Sequence, residues 1–180
     1  MKTILITLLL LTTKICYSQN KTFTKEGIIS FEASVPSFEE VKATTNTGIC
    51  ALNPKTGDIA AVILIKNFKF KNSLMQEHFN ENYMESDRYP KGVFKGKIDN
   101  FQPDSYSNTT KITINGIFEI HGKSKNMIIP ATLKKEGNSY SINAEFILKP
   151  EDFSIEIPSI VGYKIAKTVS ITSHFNLISQ

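Results

Sequence analysis

The residue types that can do chemistry are few in this chain: three histidines, a serine between lysines, three evenly spaced glutamates and two cysteines. His78, His121 and His174 stand far apart, on a predicted helix, at a strand end and in the last strand. With no CxxC, HExxH or two-histidine spacing, they do not read as a metal site. His78 and Glu81 lie three apart on the helix, where an exposed pair on a wet face is the simplest reading. Ser124, in His121-Gly122-Lys123-Ser124-Lys125, lacks the GxSxG elbow of a hydrolase nucleophile, and its neighbours suggest a turn. Glu77, Glu81 and Glu85 recur every four residues, but nothing apolar surrounds them to raise a pKa for acid–base work. Cys50 has neither a flanking base nor a helix start to lower its pKa, so a buried, inert thiol is expected. No catalytic residue, no metal and no cofactor is expected.

Aromatic side chains offer a different chemistry, that of apolar binding. The chain holds 12 phenylalanines and 6 tyrosines, many at alternating strand positions. They either fill a closed core or line a hollow one. An eight-stranded barrel is at the margin between these outcomes, its interior being just wide enough for side chains or for one small ligand.

The elements that must position these residues are clearest between Lys66 and Lys97. Phe68 and Phe70 alternate with lysines as in a half-buried strand, and Ser73-Leu74-Met75-Gln76 has capping-box spacing. The spacing predicts a helix over about 73–87, with Met75, Phe79 and Tyr83 on a packed face and the three glutamates on the opposite one. Pro90 disfavours helical geometry at Tyr89 and closes the helix before Val93, Phe94 and Ile98 open a strand.

Upstream, Ile29, Phe31 and Ala33, then Thr47, Ile49 and Ala51, alternate with polar residues as strands with one inward face. The Asn53–Asp58 turn leads to Ile59–Ile65, apolar on both faces, which calls for a cover; the helix can lie across it or close one end. Downstream, Val93–Phe101 is a strand and Gln102–Thr110 a loop. Ile112, Ile114, Gly116, Phe118 and Ile120 keep a period of two, with Gly116 at an inward place where a bend or a close approach is expected. Ile128–Leu133 and Ile142–Leu148 form a hairpin around Glu136–Ser139. A turn or short helix at Pro150–Phe153 precedes a last strand with Val169, Ile171, Ser173, Phe175 and Leu177. This pattern predicts an all-β fold, an antiparallel lipocalin-like β-barrel of about eight strands with one inserted amphipathic helix.

Lys2, the apolar run Ile4–Leu11 and the small residues Cys16 and Ser18 before Gln19 have the layout of a secretory signal peptide, with cleavage expected after Ser18. The run is too short for a membrane span of about 20 residues. Thr13-Lys14-Ile15-Cys16 does not fit a lipid-anchored cysteine. Removing residues 1–18 takes Lys2 and Lys14 from 21 basic residues, leaving 19 against 17 acidic ones, so the net charge of +4 falls to +2. That balance does not point to nucleic acid. Cys50 remains alone, so no internal disulfide can form, and stability must come from one core within a single domain, residues 19–180.

Three blocks resemble the YceI-like family in the family's order. Asn72, Leu74-Met75, His78-Phe79, Tyr89-Pro90, Phe94 and Gly96 carry the first, Ile114–Lys125 the second and Glu151-Asp152-Phe153-Ser154-Ile155 the third. The resemblance spans roughly Gly27 to Ile178. The chain departs from it in having no tryptophan and in carrying Lys149 where the family has an arginine. What the resemblance implies is a periplasmic or secreted protein whose barrel holds the tail of an isoprenoid or similar amphiphile, without bond chemistry. By alternation, Phe31, Ile63, Ile65, Phe70, Phe94, Ile114, Phe118, Phe146, Ile171 and Phe175 are expected to line the interior, although a slip of one residue would swap a strand's whole set. The alternatives are a filled barrel acting as a structural or interaction module, and an enzyme acting on a lipid. A homodimer is compatible with any of them.

Overall fold

The computed structural model describes residues 22–179; the signal-peptide expectation falls outside them. Nine strands follow in order: β1 (Thr22–Ser34), β2 (Lys42–Leu52), β3 (Asp58–Leu64), β4 (Lys69–Phe70), β5 (Lys91–Ile98), β6 (Thr110–Ile120), β7 (Lys123–Glu136), β8 (Ser139–Leu148) and β9 (Ile165–Ser179). The eight long strands pair antiparallel in succession, and β1 pairs with both β2 and β9, which closes the barrel. Closure leaves no long free edge. β4 adds only two residues beside β2.

Inward faces follow the expected alternation on most strands. Ile29, Phe31 and Ala33 are buried on β1, Ile114 and Phe118 on β6, and Phe175 and Leu177 on β9. β2 differs from expectation. Ile49 is 41% exposed, while Cys50 and Leu52 are fully buried. The cause is a bulge: Gly27 pairs with Gly48 but Ile29 with Thr45, so β2 spends one extra residue there and reverses its facing. The Thr45 and Thr47 hydroxyls bond to each other at 3.0 Å, and Asn67 donates to Thr47 Oγ1 at 2.7 Å. Those bonds hold the bulge against the turn after β3.

One end of the barrel is plugged. Phe101 stacks on Tyr106 at 5.4 Å, and Leu52, Leu133 and Leu177 are fully buried around them. Phe101 belongs to the β5–β6 loop, since β5 ends at Ile98 rather than continuing to Phe101. β7 is longer than predicted and begins at Lys123, so Ser124 is a strand residue paired with Glu119, not part of a turn.

Helix α1 (Ser73–His78) stands at the other end and is shorter than the predicted 73–87. Its cap is Asn72, one residue before the expected Ser73: Oδ1 accepts from the backbone N–H of Leu74 and Met75, at 2.9 and 3.3 Å. Gln76 instead accepts from the Phe70 N–H. A π-helical turn, Phe79–Tyr83, follows α1. Asn80 Nδ2 donates to the Gln76 carbonyl at 2.9 Å, and Met84 N–H reaches back to the Phe79 carbonyl. The wider turn ends the helix, and Glu85 takes a positive φ of 42°. Glu85 therefore leaves the stripe that Glu77 and Glu81 keep. The helix closes the end instead of covering β3, whose outward Leu64 stays 41% exposed.

Candidate functional site, an apolar cavity at the helix end

Between the plugged end and α1 the inward faces do not meet, and they enclose a cavity of about 420 Å³. That volume is within the ordinary range of small-molecule sites. All ten residues expected from alternation, Phe31, Ile63, Ile65, Phe70, Phe94, Ile114, Phe118, Phe146, Ile171 and Phe175, are on its wall. Ile65 reaches it from a 3-10 turn (Ile65–Asn67) rather than from a strand. The remaining nine come from β1, β3, β4, β5, β6, β8 and β9.

Two further groups join the wall. Met75, Phe79 and Tyr83, the apolar stripe of the helical segment, project in from the mouth. Phe79 stacks on Phe31 at 5.2 Å and lies 5.0 Å from Phe70, while Phe68 meets Phe31 edge-on at 5.2 Å. The second group belongs to the β8–β9 segment, where Phe153, in a 3-10 turn (Pro150–Phe153), packs edge-on against Phe118 at 5.6 Å. The stripe was readable from its four-residue spacing. Phe153, Ile155 and Ile157 alternate with polar residues as a strand would, yet with Val161 they lie in the irregular β8–β9 segment, and the closed fold brings them in.

Polar residues are sparse on the wall. Ser173 faces in from β9, while Glu39, Asn72, His78, Lys149 and Lys164 come from the segments around the mouth. Cys50 is a free thiol, fully buried in the wall, and burial pushes its pKa from 9.0 up to about 12.

The three histidines do not converge. His78 is at the rim, and His174 Nδ1 shares a hydrogen bond with Asn143 Oδ1 at 2.6 Å between β8 and β9. His121 lies in the β6–β7 turn, off the cavity wall: Nδ1 is 3.1 Å from the Phe153 carbonyl, and its ring packs 4.5 Å from that of Tyr89. Glu85 Oε1 approaches its Nε2 at 3.5 Å. His121 thereby ties together three connecting segments that close part of this end. Among the described residues no group of three or more histidine, cysteine, aspartate or glutamate side chains is placed to hold a metal.

A closed eight-stranded barrel, one short helix across its end and an apolar chamber beneath it fit one domain model, that of the YceI-like domain, over residues 20–177. The chain belongs to the YceI-like family. Solved YceI-like barrels share its fold at low identity. A polyisoprenoid binding domain from Saccharophagus degradans, implicated in plant cell wall breakdown, superposes with a TM-score of 0.76 at 10% identity, over 90% of this chain and 99% of that one. BcnA of Burkholderia cenocepacia gives 0.69 at 16% identity, covering 83% and 95%. The YceI protein of Campylobacter jejuni gives 0.59 at 15%, covering 79% and 88%. No match was found among the curated proteins. At such identities the likeness is one of fold, and the wall residues of this YceI-like chain stand on their own geometry.

Proposed function

We propose that this protein is an exported carrier that sequesters one isoprenoid or other long-chain amphiphile in its barrel and performs no bond chemistry on it. The observation that carries the reading is the cavity: it is hollow, apolar over nearly all its wall, and reached past a rim of polar residues. The fold shared with a polyisoprenoid binding domain supports a long, methyl-branched tail as cargo. The signal-peptide layout of residues 1–18 supports export to the periplasm or beyond.

Magnitudes favour a long tail over a short one. Each five-carbon unit buried gains roughly 4 kcal/mol gross at about 0.8 kcal/mol per carbon. Ordering costs of about 4–15 kcal/mol oppose it, so several units are needed. Mass spectrometry of organic extracts from the purified protein tests the reading. A prenyl or fatty chain near one equivalent is expected, and an empty extract together with no uptake of added lipid would end it. Phe118→Glu places a charge in the wall beside Phe153 and is expected to abolish uptake.

A further inference from the structure

We infer that the mouth of the cavity selects an anionic head group, carboxylate or phosphate, and that Lys149 and Lys164 receive it. The inference rests on the carrier reading and deepens it. An amphiphile with its tail among Phe94, Phe118 and Phe175 must leave its head where polar partners are, because a charge or hydroxyl buried without one is costly. Those partners stand only at the rim, apart from Ser173.

The rim charges are not equivalent. Glu39 is held by a hydrogen bond from the neutral Asn72 amide at 2.9 Å, without a cation of its own among the described residues, and neighbouring Glu40 holds Lys71 at 2.7 Å. That pairing keeps the Glu40 carboxyl below its usual range and the Lys71 ammonium above its own. The two lysines of the wall, by contrast, have no carboxylate within 4.0 Å among the described residues. Lys164 Nζ lies 5.4 Å over the Tyr163 ring, and Asp152, three residues beyond Lys149, is bound to Lys125. Glu151 and Glu156 share the segment but are not part of the wall.

Lys149 closes β8 and Lys164 precedes β9, so the two ammonium groups bracket the segment that carries Phe153 and Val161 into the chamber. Two unpaired cations beside an apolar shaft suit a head with anionic oxygens; a neutral alcohol would gain only ordinary hydrogen bonds there.

The test uses three probes with the same tail, hexadecanol, palmitate and hexadecyl phosphate, competing with the neutral dye Nile red in the delipidated protein. Palmitate or hexadecyl phosphate, or both, should displace the dye at about tenfold lower concentration than hexadecanol. The advantage should shrink in high salt. In the double variant Lys149→Gln, Lys164→Gln it should vanish while hexadecanol binds as before. A lead for the phosphate alone identifies a phosphorylated head, for palmitate alone a carboxylate, and equal leads a site that reads charge only. Equal displacement by all three probes, or an advantage that survives the double variant, overturns the head-group assignment and leaves the carrier standing. Failure of all three to displace the dye overturns both.

Discussion

The ring of Phe175 lies across Gly27 so closely that a Cβ on the glycine would overlap two of its carbons, with the Gly48 carbonyl 2.9 Å away on another side. Gly27 and Gly48 are paired across β1 and β2, and a second pair, Gly96 and Gly116, joins β5 and β6 beneath Phe94. Both pairs let an aromatic ring lie flat on bare backbone, which bends the sheet and brings a cavity-lining residue close to the wall. Gly27→Ala should push Phe175 into the chamber, cost about 1–3 kcal/mol and lower Nile red uptake. Gly116→Ala should cost more, because its Cβ would meet the Lys95 carbonyl and lie 2.7 Å from Gly96 Cα, neither of which can swing aside. Thermal unfolding of the two variants checks the order, and a milder effect at Gly116 would refute the argument.

How far these features could be read beforehand depends on periodicity. On β1, β6, β8 and β9 the alternation is unbroken through Phe31, Phe118, Phe146 and Phe175, and the structure places these four on the cavity wall. β2 failed because a bulge leaves no mark in composition: Asn46-Thr47 continues the alternation in sequence while the backbone spends an extra residue there. The helix begins at Ser73 as expected, but its capping residue and its far end differ for a related reason. Asn72 and Ser73 are both capping residues, and only geometry chooses between them. Asn80 ended the helix through a side-chain bond to the Gln76 carbonyl, a contact that spacing does not announce. Phe153 reached the wall through long-range closure.

Asn72 joins two jobs. Its carbonyl oxygen caps α1, and its amide donates to Glu39 on the facing β1–β2 loop. Asn72→Asp keeps the cap but sets two carboxylates against each other, whereas Asn72→Ala removes both bonds and should cost about 0.5–2 kcal/mol. Hydrogen exchange resolves the effect: the amides of Leu74 and Met75 should lose protection in Asn72→Ala and retain it in Asn72→Asp. Equal protection in the alanine variant would show that packing of Phe79, not the cap, holds the helix.

The Cys50 thiol is fully buried and its pKa is raised from 9.0 to about 12. In the native protein it should resist iodoacetamide at about pH 8, and react at the rate of a free thiol once unfolded by guanidinium. The sign of the linkage follows from the raised value. Below pH 9.0 both states keep the proton; between 9.0 and about 12 the unfolded chain loses it and the native one does not, so stability falls across that window. Cys50→Ala should flatten this part of the stability profile at the expense of a small cavity. A profile with the same slope in the variant would assign the loss to other groups.

Phe79 is where the helical segment and the barrel meet, half-buried, with Phe31 at 5.2 Å, Phe70 at 5.0 Å and Phe68 at 6.0 Å. On the carrier reading, a tail that leaves the chamber beside the helix passes this cluster or displaces it. Truncation to alanine removes three aromatic contacts worth about 0.5–1.5 kcal/mol each at most, and because the side chain is partly exposed the stability loss should stay below the roughly 3–5 kcal/mol of a fully buried phenylalanine. The larger consequence is kinetic. Affinity differences within one site are carried mainly by dissociation, so Phe79→Ala should release bound Nile red about tenfold faster into acceptor vesicles while uptake slows little. Stopped-flow fluorescence separates the two rates. If release is unchanged while stability falls, the aromatic cluster is part of the core alone, and the tail leaves by another part of the mouth, between Phe38 and Tyr163, whose rings touch edge-on at 5.5 Å across the β1–β2 and β8–β9 segments.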